Sequence, residues 1–227
     1  MINVLDHGFV RLIDSMGSDL SVVRAARISH DAAWRAGEDQ SSDTRLINYL
    51  WKNHHTTPFE AVTFTFEVKA PIFVFRQWHR HRTWSFNEVS ARYKELSEEV
   101  YMPNFRRQAS TNKQGSEGEV EANAAIVLRN RFSSIYYEAF EAYRLALSAG
   151  VAREIARSVL PVATYSHMFA TVNLLNLFKF LTLRCDKHAQ YEIRVYANAL
   201  LELIRPVVPT CVGAWEKGLI NKKEEGT

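Results

Sequence analysis

Cysteine is scarce in this chain: Cys185 and Cys211 are the only two among 227 residues. That excludes a disulfide-stapled secreted scaffold and predicts reduced thiols in a cytoplasmic protein. No apolar run approaches the roughly 18 residues of a membrane span, so no membrane partner is expected. No basic stretch leads into an apolar one near Met1, which predicts no secretory signal. Glycine is also sparse, and none of the nine forms G-x-G-x-x-G or G-x-x-x-x-G-K-[ST]. A Rossmann-type dinucleotide domain is therefore not expected, and any nucleotide must be held by other means. H-E-x-x-H is absent, His54 and His55 are adjacent, and His79 and His81 are two apart, on different faces of any helix. No metal site is expected from such spacing. The net charge is only +3, too small a surplus for a nucleic-acid partner.

What is present is ordinary globular material: 47% hydrophobic and 23% charged residues. With no repeat and no linker, residues 1–227 read as a single domain. The charge is unevenly spread. Arg76, Arg80, Arg82, Arg92 and Lys94 stand against one acid, Glu88, so this window holds more positive charge than the whole chain nets. An anionic ligand is expected near it.

Residues Ile2–Ser15 alternate loosely and predict a strand or hairpin. Ser18 or Asp19 should cap a helix to about Ser29, with a polar loop over Ala33–Ser42 and a second helix capped by Ser42 or Asp43. Phe64, Phe66 and Val68 alternate with Thr65, Glu67 and Lys69, the period of a half-buried strand. Pro71 suits the first turn of a helix over Ile72–His79. A short extended segment is expected near Ala91–Leu96, and a mobile surface loop over the polar Arg106–Glu119. A long helix Ala122–Ser148 should close at Gly150, followed by a shorter one over Val151–Leu160. Ala163–Thr171 reads as either strand or loop. Helices are expected over about Asn173–Arg184, Lys187–Ile204 and Pro209–Lys217, with a frayed charged tail at Asn221–Thr227. The class is α+β: helix-rich, with a modest, largely antiparallel sheet.

The run Arg76–Tyr93 concentrates Arg, His, Gln, Asn, Glu and Ser without periodicity. Arg forks bind phosphate bidentately, and Gln and Asn offer both donor and acceptor to a base edge. A solvated charged turn would satisfy the same composition. Cys185 reads as a small buried thiol rather than a nucleophile.

Arg80–Ser90, R-H-R-T-W-S-F-N-E-V-S, resembles the signature R-H-R-x-x-S-x-N-E-x-S of the flavin-dependent thymidylate synthases at every fixed position. Further stretches resemble that family in the same order: Arg24–Ser29, His55–Glu60, Phe64–Val74, Arg76–Trp78, Val151–Pro161, Thr171–Asn173 and Leu183–Glu192. The resemblance implies reductive methylation of dUMP to dTMP, with 5,10-methylenetetrahydrofolate as carbon donor and FAD, reduced by NADPH, as reductant. It also implies a homotetramer whose active sites are shared between subunits.

By position, the resemblance assigns FAD contacts to Ser29, His55, Thr57, Arg80, His81, Arg82, Glu88 and Asn173. It assigns dUMP contacts to Gln77, Trp78, His79 and Arg80, to Glu88, Val89, Ser90, Ala91 and Arg92, and to Arg157 and Arg184. Ser90, Arg92 and nearby backbone N–H groups would hold the phosphate. Arg184 would act catalytically by polarising the uracil and favouring ionisation at N3, and no cysteine nucleophile is implied. Two departures stand out. The family's Ala-Arg after the Asn is here Leu174-Leu175, and a family Asn that touches FAD is here Lys179.

Overall fold

The alternation at Thr63–Lys69 is realised as β3 (Thr63–Pro71), the middle of a five-stranded antiparallel sheet. The sheet order is β1 (Ile2–Val4), β2 (Gly8–Met16), β3, β7 (Tyr165–Asn173) and β4 (Ser85–Glu88). The computed structural model describes the backbone of residues 1–225 and the side chains of residues 1–220. Phe64, Phe66 and Val68 of β3 face inward with Met168, Ala170 and Val172 of β7, all buried. Over this face pack α6 (Leu174–Arg184) and α7 (Tyr191–Ile204), whose Phe178, Leu181, Tyr196 and Leu200 complete the core. Apolar burial of this kind is worth about 25 cal/mol per Å², which makes this face the main source of stability.

Helices α1 (Asp19–Arg27), α2 (Gln40–Lys52) and α8 (Pro209–Glu225) close one side. Asp19 ties two of them together, because its carboxylate accepts from the N–H groups of Thr210 and Cys211 at the start of α8, at 2.9 and 3.0 Å. Gly8 is required where it stands: a Cβ there would overlap the Tyr196 hydroxyl, which donates to the Lys69 carbonyl at 2.8 Å. No helix among the described residues is long and apolar enough to cross a membrane.

Several expectations need correction. The second helix starts earlier than expected, because Asp39 rather than Ser42 or Asp43 is the cap; its carboxylate accepts from the N–H groups of Ser41 and Ser42. Glu67 does not face solvent. It is buried between Arg11, whose Nε lies 2.7 Å from it, and His167 at 2.8 Å. Ala91–Leu96 forms turns, and the extended segment is instead β4, paired on one side with β7. Arg106–Glu119 is not a plain loop: β5 (Arg106–Gln108) pairs with β6 (Ser116–Glu119). Beneath it, Arg106 and the Tyr101 hydroxyl both bond the buried carboxylate of Glu192.

The ambiguous Ala163–Thr171 is mostly strand, from Tyr165 onward. The segment read as one helix over Val151–Leu160 shortens to α5 (Arg153–Ala156) and a 3-10 turn. The long α4 (Ala122–Ser148) closes at Gly150, whose φ of 81° lies in the left-handed region. Helix α7 begins at Tyr191 rather than Lys187, and α8 runs on to Glu225, so most of the expected frayed tail is helical; residues 226 and 227 lie outside the described ones.

Trp78, expected among the substrate contacts, is fully buried at the end of α3 (Ile72–Trp78). Its indole packs 4.9 Å from Phe180 and 5.7 Å from Trp84 between ring centroids. The helix turns its side chain inward, away from its sequence neighbours and into the core. Trp78→Ala is expected to cost about 3–5 kcal/mol in urea unfolding. A loss below about 1 kcal/mol would contradict this placement.

Candidate active site

Helix α3 carries Gln77 and Trp78 of the candidate residues and is capped at its end by His79, and it sorts them by face. Ile72, Phe75, Arg76 and His79 recur at helical spacing and line one side of a cleft of about 370 Å³. The other walls come from Glu88, Val89, Ser90 and Ala91 after β4, and from Arg157, Leu160 and Ser166. The structure thus brings together His79, Glu88, Val89, Ser90, Ala91 and Arg157 of the expected substrate contacts. It adds Arg76, which the resemblance did not assign. The signal was in the sequence, since Arg76 lies one turn from Ile72 and on the face that His79 shares.

Local hydrogen bonds decide which groups are free here. The Val89 N–H donates to the His167 carbonyl at 2.8 Å, so it is not available to a ligand. The N–H groups of Ser90 and Ala91 have no acceptor among the described residues. The Ser166 hydroxyl donates to Glu88 at 2.6 Å and fixes that carboxylate at the cleft wall. Arg92 is not brought in: its exposed guanidinium pairs with Glu154 at 3.1 Å. Of the residues expected to hold phosphate, Ser90 lines the cleft and Arg92 does not, whereas Arg76 does.

Gln77 leaves α3 away from this cleft, and its amide bonds the side chain of Gln190. On that side Arg184, the last residue of α6, donates through Nε to His81 Nε2 at 3.1 Å and through a terminal nitrogen to the Gln77 carbonyl at 3.3 Å. Burial lowers the Arg184 pKa somewhat. Burial, with the Arg184 charge second, pushes His81 down to about 4, so its imidazole is neutral at physiological pH and can accept. Arg80 and Arg82 flank it, without a carboxylate partner among the described residues.

Ser29, His55 and Thr57 line a separate cleft of about 530 Å³ between α1 and α2, together with Arg27 and Tyr49. The His55 ring stands edge-on to Tyr49 at 5.9 Å. Asn173 lines none of these clefts. Its side-chain oxygen caps α6 by accepting from the Asn176 N–H at 2.9 Å. Burial pushes the Cys185 thiol up to about 11, which leaves it protonated and weakly nucleophilic near neutrality. No group of three potential metal ligands occurs among the described residues.

Residues 11–210 match the family described as Thymidylate synthase complementing protein. The chain belongs to this family. A flavin-dependent thymidylate synthase from Thermus thermophilus is 49% identical over 221 residues, covering 97% of this chain and 80% of the relative. One from Thermotoga neapolitana is 44% identical over 216 residues, covering 95% and 94%. Among solved structures, the UMP/dUMP methylase PolB from Streptomyces cacaoi bound with 5-Br dUMP superposes with a TM-score of 0.86 at 37% identity, covering 95% of this chain and 97% of that one. The chain is thus an enzyme of the flavin-dependent thymidylate synthase family, and the α+β architecture is shared with a solved relative.

His81 offers a direct check of the site's electrostatics. Its folded pKa lies below the unfolded value near 6.5, so its neutrality contributes stability above that pH. That contribution is lost as pH falls from about 6.5 towards 4. An NMR titration should give a His81 midpoint near 4. A midpoint at about 6 or above would contradict the burial and the Arg184 contact together.

Proposed function

We propose that this chain converts dUMP to dTMP, taking the methylene carbon from 5,10-methylenetetrahydrofolate and using FAD reduced by NADPH. The observation that carries the reading is the fate of the Arg80–Ser90 signature in the fold. One end, Glu88–Ser90, walls a cleft with Arg76 and Arg157; the other end, His81, holds Arg184. The relatives are named flavin-dependent thymidylate synthases, and the solved neighbour is a methylase bound with 5-Br dUMP.

The cleft suits a nucleotide phosphate. Arg76 and Arg157 supply guanidinium groups, and the Ser90 hydroxyl with the free N–H groups of Ser90 and Ala91 supplies neutral donors. Arg184 is the group we assign to the pyrimidine. A guanidinium held by a neutral imidazole and a carbonyl keeps its charge and its direction, and it stabilises negative charge developing on the ring as C5 becomes nucleophilic. The protonated Cys185 agrees with chemistry that needs no cysteine attack at C6.

The residues present fit a flavin dinucleotide. Ser29, His55 and Thr57 converge on a cleft beside Tyr49, and Arg80 and Arg82 are left unneutralised. FAD, when bound, supplies the reducing equivalents for the transferred carbon. The protein's own part is to orient both ligands and exclude water.

The phosphate cleft and Arg184 lie on different sides of α3, which supports a site completed by a second copy of the chain. Exposed Ile126, Val127, Tyr137 and Leu145 on α4, a 27-residue helix that buries only Phe140 and Tyr143, support the same reading. We propose a homotetramer acting in the cytoplasm, with residues 1–227 working as one domain.

Purified protein should be yellow and should form dTMP only when dUMP, NADPH and methylenetetrahydrofolate are all supplied. Protein that cannot take up FAD, or that makes no dTMP when loaded, would overturn the reading. Arg184→Ala should keep its flavin and lose turnover by at least about 100-fold, whereas Arg157→Ala should chiefly raise the KM for dUMP. Mixing the two variants under subunit exchange should restore part of the activity if sites are shared. No recovery in verified mixed oligomers would rule sharing out.

His81→Gln, which keeps an acceptor near the Nε2 position, should retain more turnover at equal flavin occupancy than His81→Asn, which places one near Nδ1. Equal kcat values would remove His81 as the group that aims Arg184.

A further inference from the structure

The hydrogen bonds around Glu192 lead from the core out to Arg184. Glu192 stands in the first turn of α7, and its side chain is only 2% exposed. Its Oε1 accepts from the Tyr101 hydroxyl at 3.1 Å, and both carboxylate oxygens accept from Arg106, at 2.8 and 3.0 Å. These two partners would satisfy a buried carboxylate by themselves. A third comes from the surface: the Gln190 amide nitrogen donates to Oε2 at 2.8 Å. Gln190 precedes α7 and is exposed, yet its side chain caps no helix N–H. Its oxygen accepts instead from the Gln77 amide nitrogen. Gln77 is the residue whose backbone carbonyl accepts from Arg184. Neither Glu192 nor Gln190 lines the phosphate cleft or the Ser29–His55–Thr57 cleft.

This relay has only one polarity. Burial alone would raise the Glu192 pKa, but the bonds from Gln190 and Arg106 outweigh it and lower the value. Glu192 is therefore ionised at neutral pH, and an ionised carboxylate only accepts. Gln190 must turn its NH2 group to it, which leaves the Gln190 oxygen on the other side. That oxygen again only accepts, so Gln77 must offer its own NH2 group. The Gln77 side-chain oxygen is then left over, with no donor among the described residues. An unconstrained glutamine can turn its amide over and offer either end to a ligand. Here a buried charge, reached through the Gln190 amide, selects the end.

We infer that Glu192 is a positioning residue for the reaction: through Gln190 it directs the Gln77 amide and leaves its oxygen as a fixed acceptor on the Arg184 side of α3. This rests on the reading of Arg184 as the partner of the pyrimidine and deepens it. Arg184 offers donors only. A pyrimidine edge carries donors as well as acceptors, so a fixed acceptor near the guanidinium helps to admit the ring in one orientation. A group already aimed spares the reaction the cost of aiming it. The relay also keeps the negative charge of Glu192 away from Arg184. Two neutral amides stand between them, so the carboxylate sets direction without neutralising the guanidinium.

The test compares variants of the flavin-loaded enzyme, at equal flavin occupancy, by dTMP formation and by urea unfolding. Gln190 is exposed and caps nothing, so Gln190→Ala should keep the wild-type urea midpoint and yet lower kcat/KM for dUMP by about tenfold or more. Tyr101→Phe removes a bond to the same carboxylate but spares the relay; it should lower the urea midpoint and leave kcat/KM unchanged. Glu192→Gln lets the Gln190 amide turn over and should lose both stability and kcat/KM. The double variant Gln190→Glu/Glu192→Gln moves the carboxylate one step along the relay, where it still accepts from the Gln77 NH2 group. It should recover most of the lost kcat/KM while staying as unstable as Glu192→Gln, because Arg106 has lost its buried ion pair. Activity that follows the urea midpoint across the set, with the double variant as poor as Glu192→Gln, would overturn the inference and leave Glu192 to the fold alone. So would a wild-type kcat/KM in Gln190→Ala. A wild-type enzyme that makes no dTMP would overturn the underlying reading itself, an outcome distinct from a wild type and a Gln190→Ala variant that are equally active.

Discussion

Nine consecutive residue pairs join β3 to β7, from Thr63↔Asn173 at one end to Pro71↔Tyr165 at the other, and both functional helices hang from this ladder. β3 runs out at Pro71, whose fixed φ leads into α3. β7 runs out at Asn173, whose side chain caps α6. The two helices therefore leave opposite ends of one strand pair, and their far ends come together where Arg184 meets His81 and the Gln77 carbonyl. Register matters for the same reason. A slip of one residue would turn Phe64, Phe66 and Val68 to the other face, so burial of those side chains also holds Arg184 in place.

The arginines divide by partner. Arg11, Arg27, Arg106 and Arg205 meet carboxylates, and Arg27 and Arg106 do so with Asp43 and Glu192 nearly removed from solvent. Breaking such a pair leaves a buried charge uncompensated, so these residues hold the fold. Arg76, Arg80, Arg82 and Arg157 have no such partner among the described residues and open towards the clefts or solvent. A near-neutral protein can thus leave guanidinium groups available to an anion without a basic surface, because these four arginines have no carboxylate partner among the described residues.

Much of this was legible in the residues. The alternation at Phe64–Val68, the helix entry at Pro71, the left-handed close at Gly150 and the signature at Arg80–Ser90 each carry a local physical cause. What was not legible depended on partners distant in sequence. Asp39, Ser42 and Asp43 are all good cap residues, and only the reach of the Asp39 carboxylate to two N–H groups selects the first. β4 is polar and pairs on one side only, so Ser85–Glu88 shows no alternation; its existence depends on β7, far along the chain. Trp78 and Arg92 belong to stretches that resemble the family's substrate contacts, yet the helix turns one into the core and Glu154 draws the other aside. A motif orders residues along the chain, whereas a site selects among them by direction.

Direction is also what the role proposed for Arg184 depends on. An arginine free in solvent loses about 2 kcal/mol of side-chain conformational freedom when a substrate fixes it. Here the protein fixes it first, through one bond at Nε and one at a terminal nitrogen. A guanidinium has five N–H donors, so about three remain for the pyrimidine that the proposed role gives to Arg184. Both acceptors are uncharged, the imidazole because burial and the adjacent Arg184 keep it so. A carboxylate in either place would orient the group equally well but would neutralise the charge on which the proposed role rests. Neutral acceptors hold the direction of the fork and leave its field for the substrate.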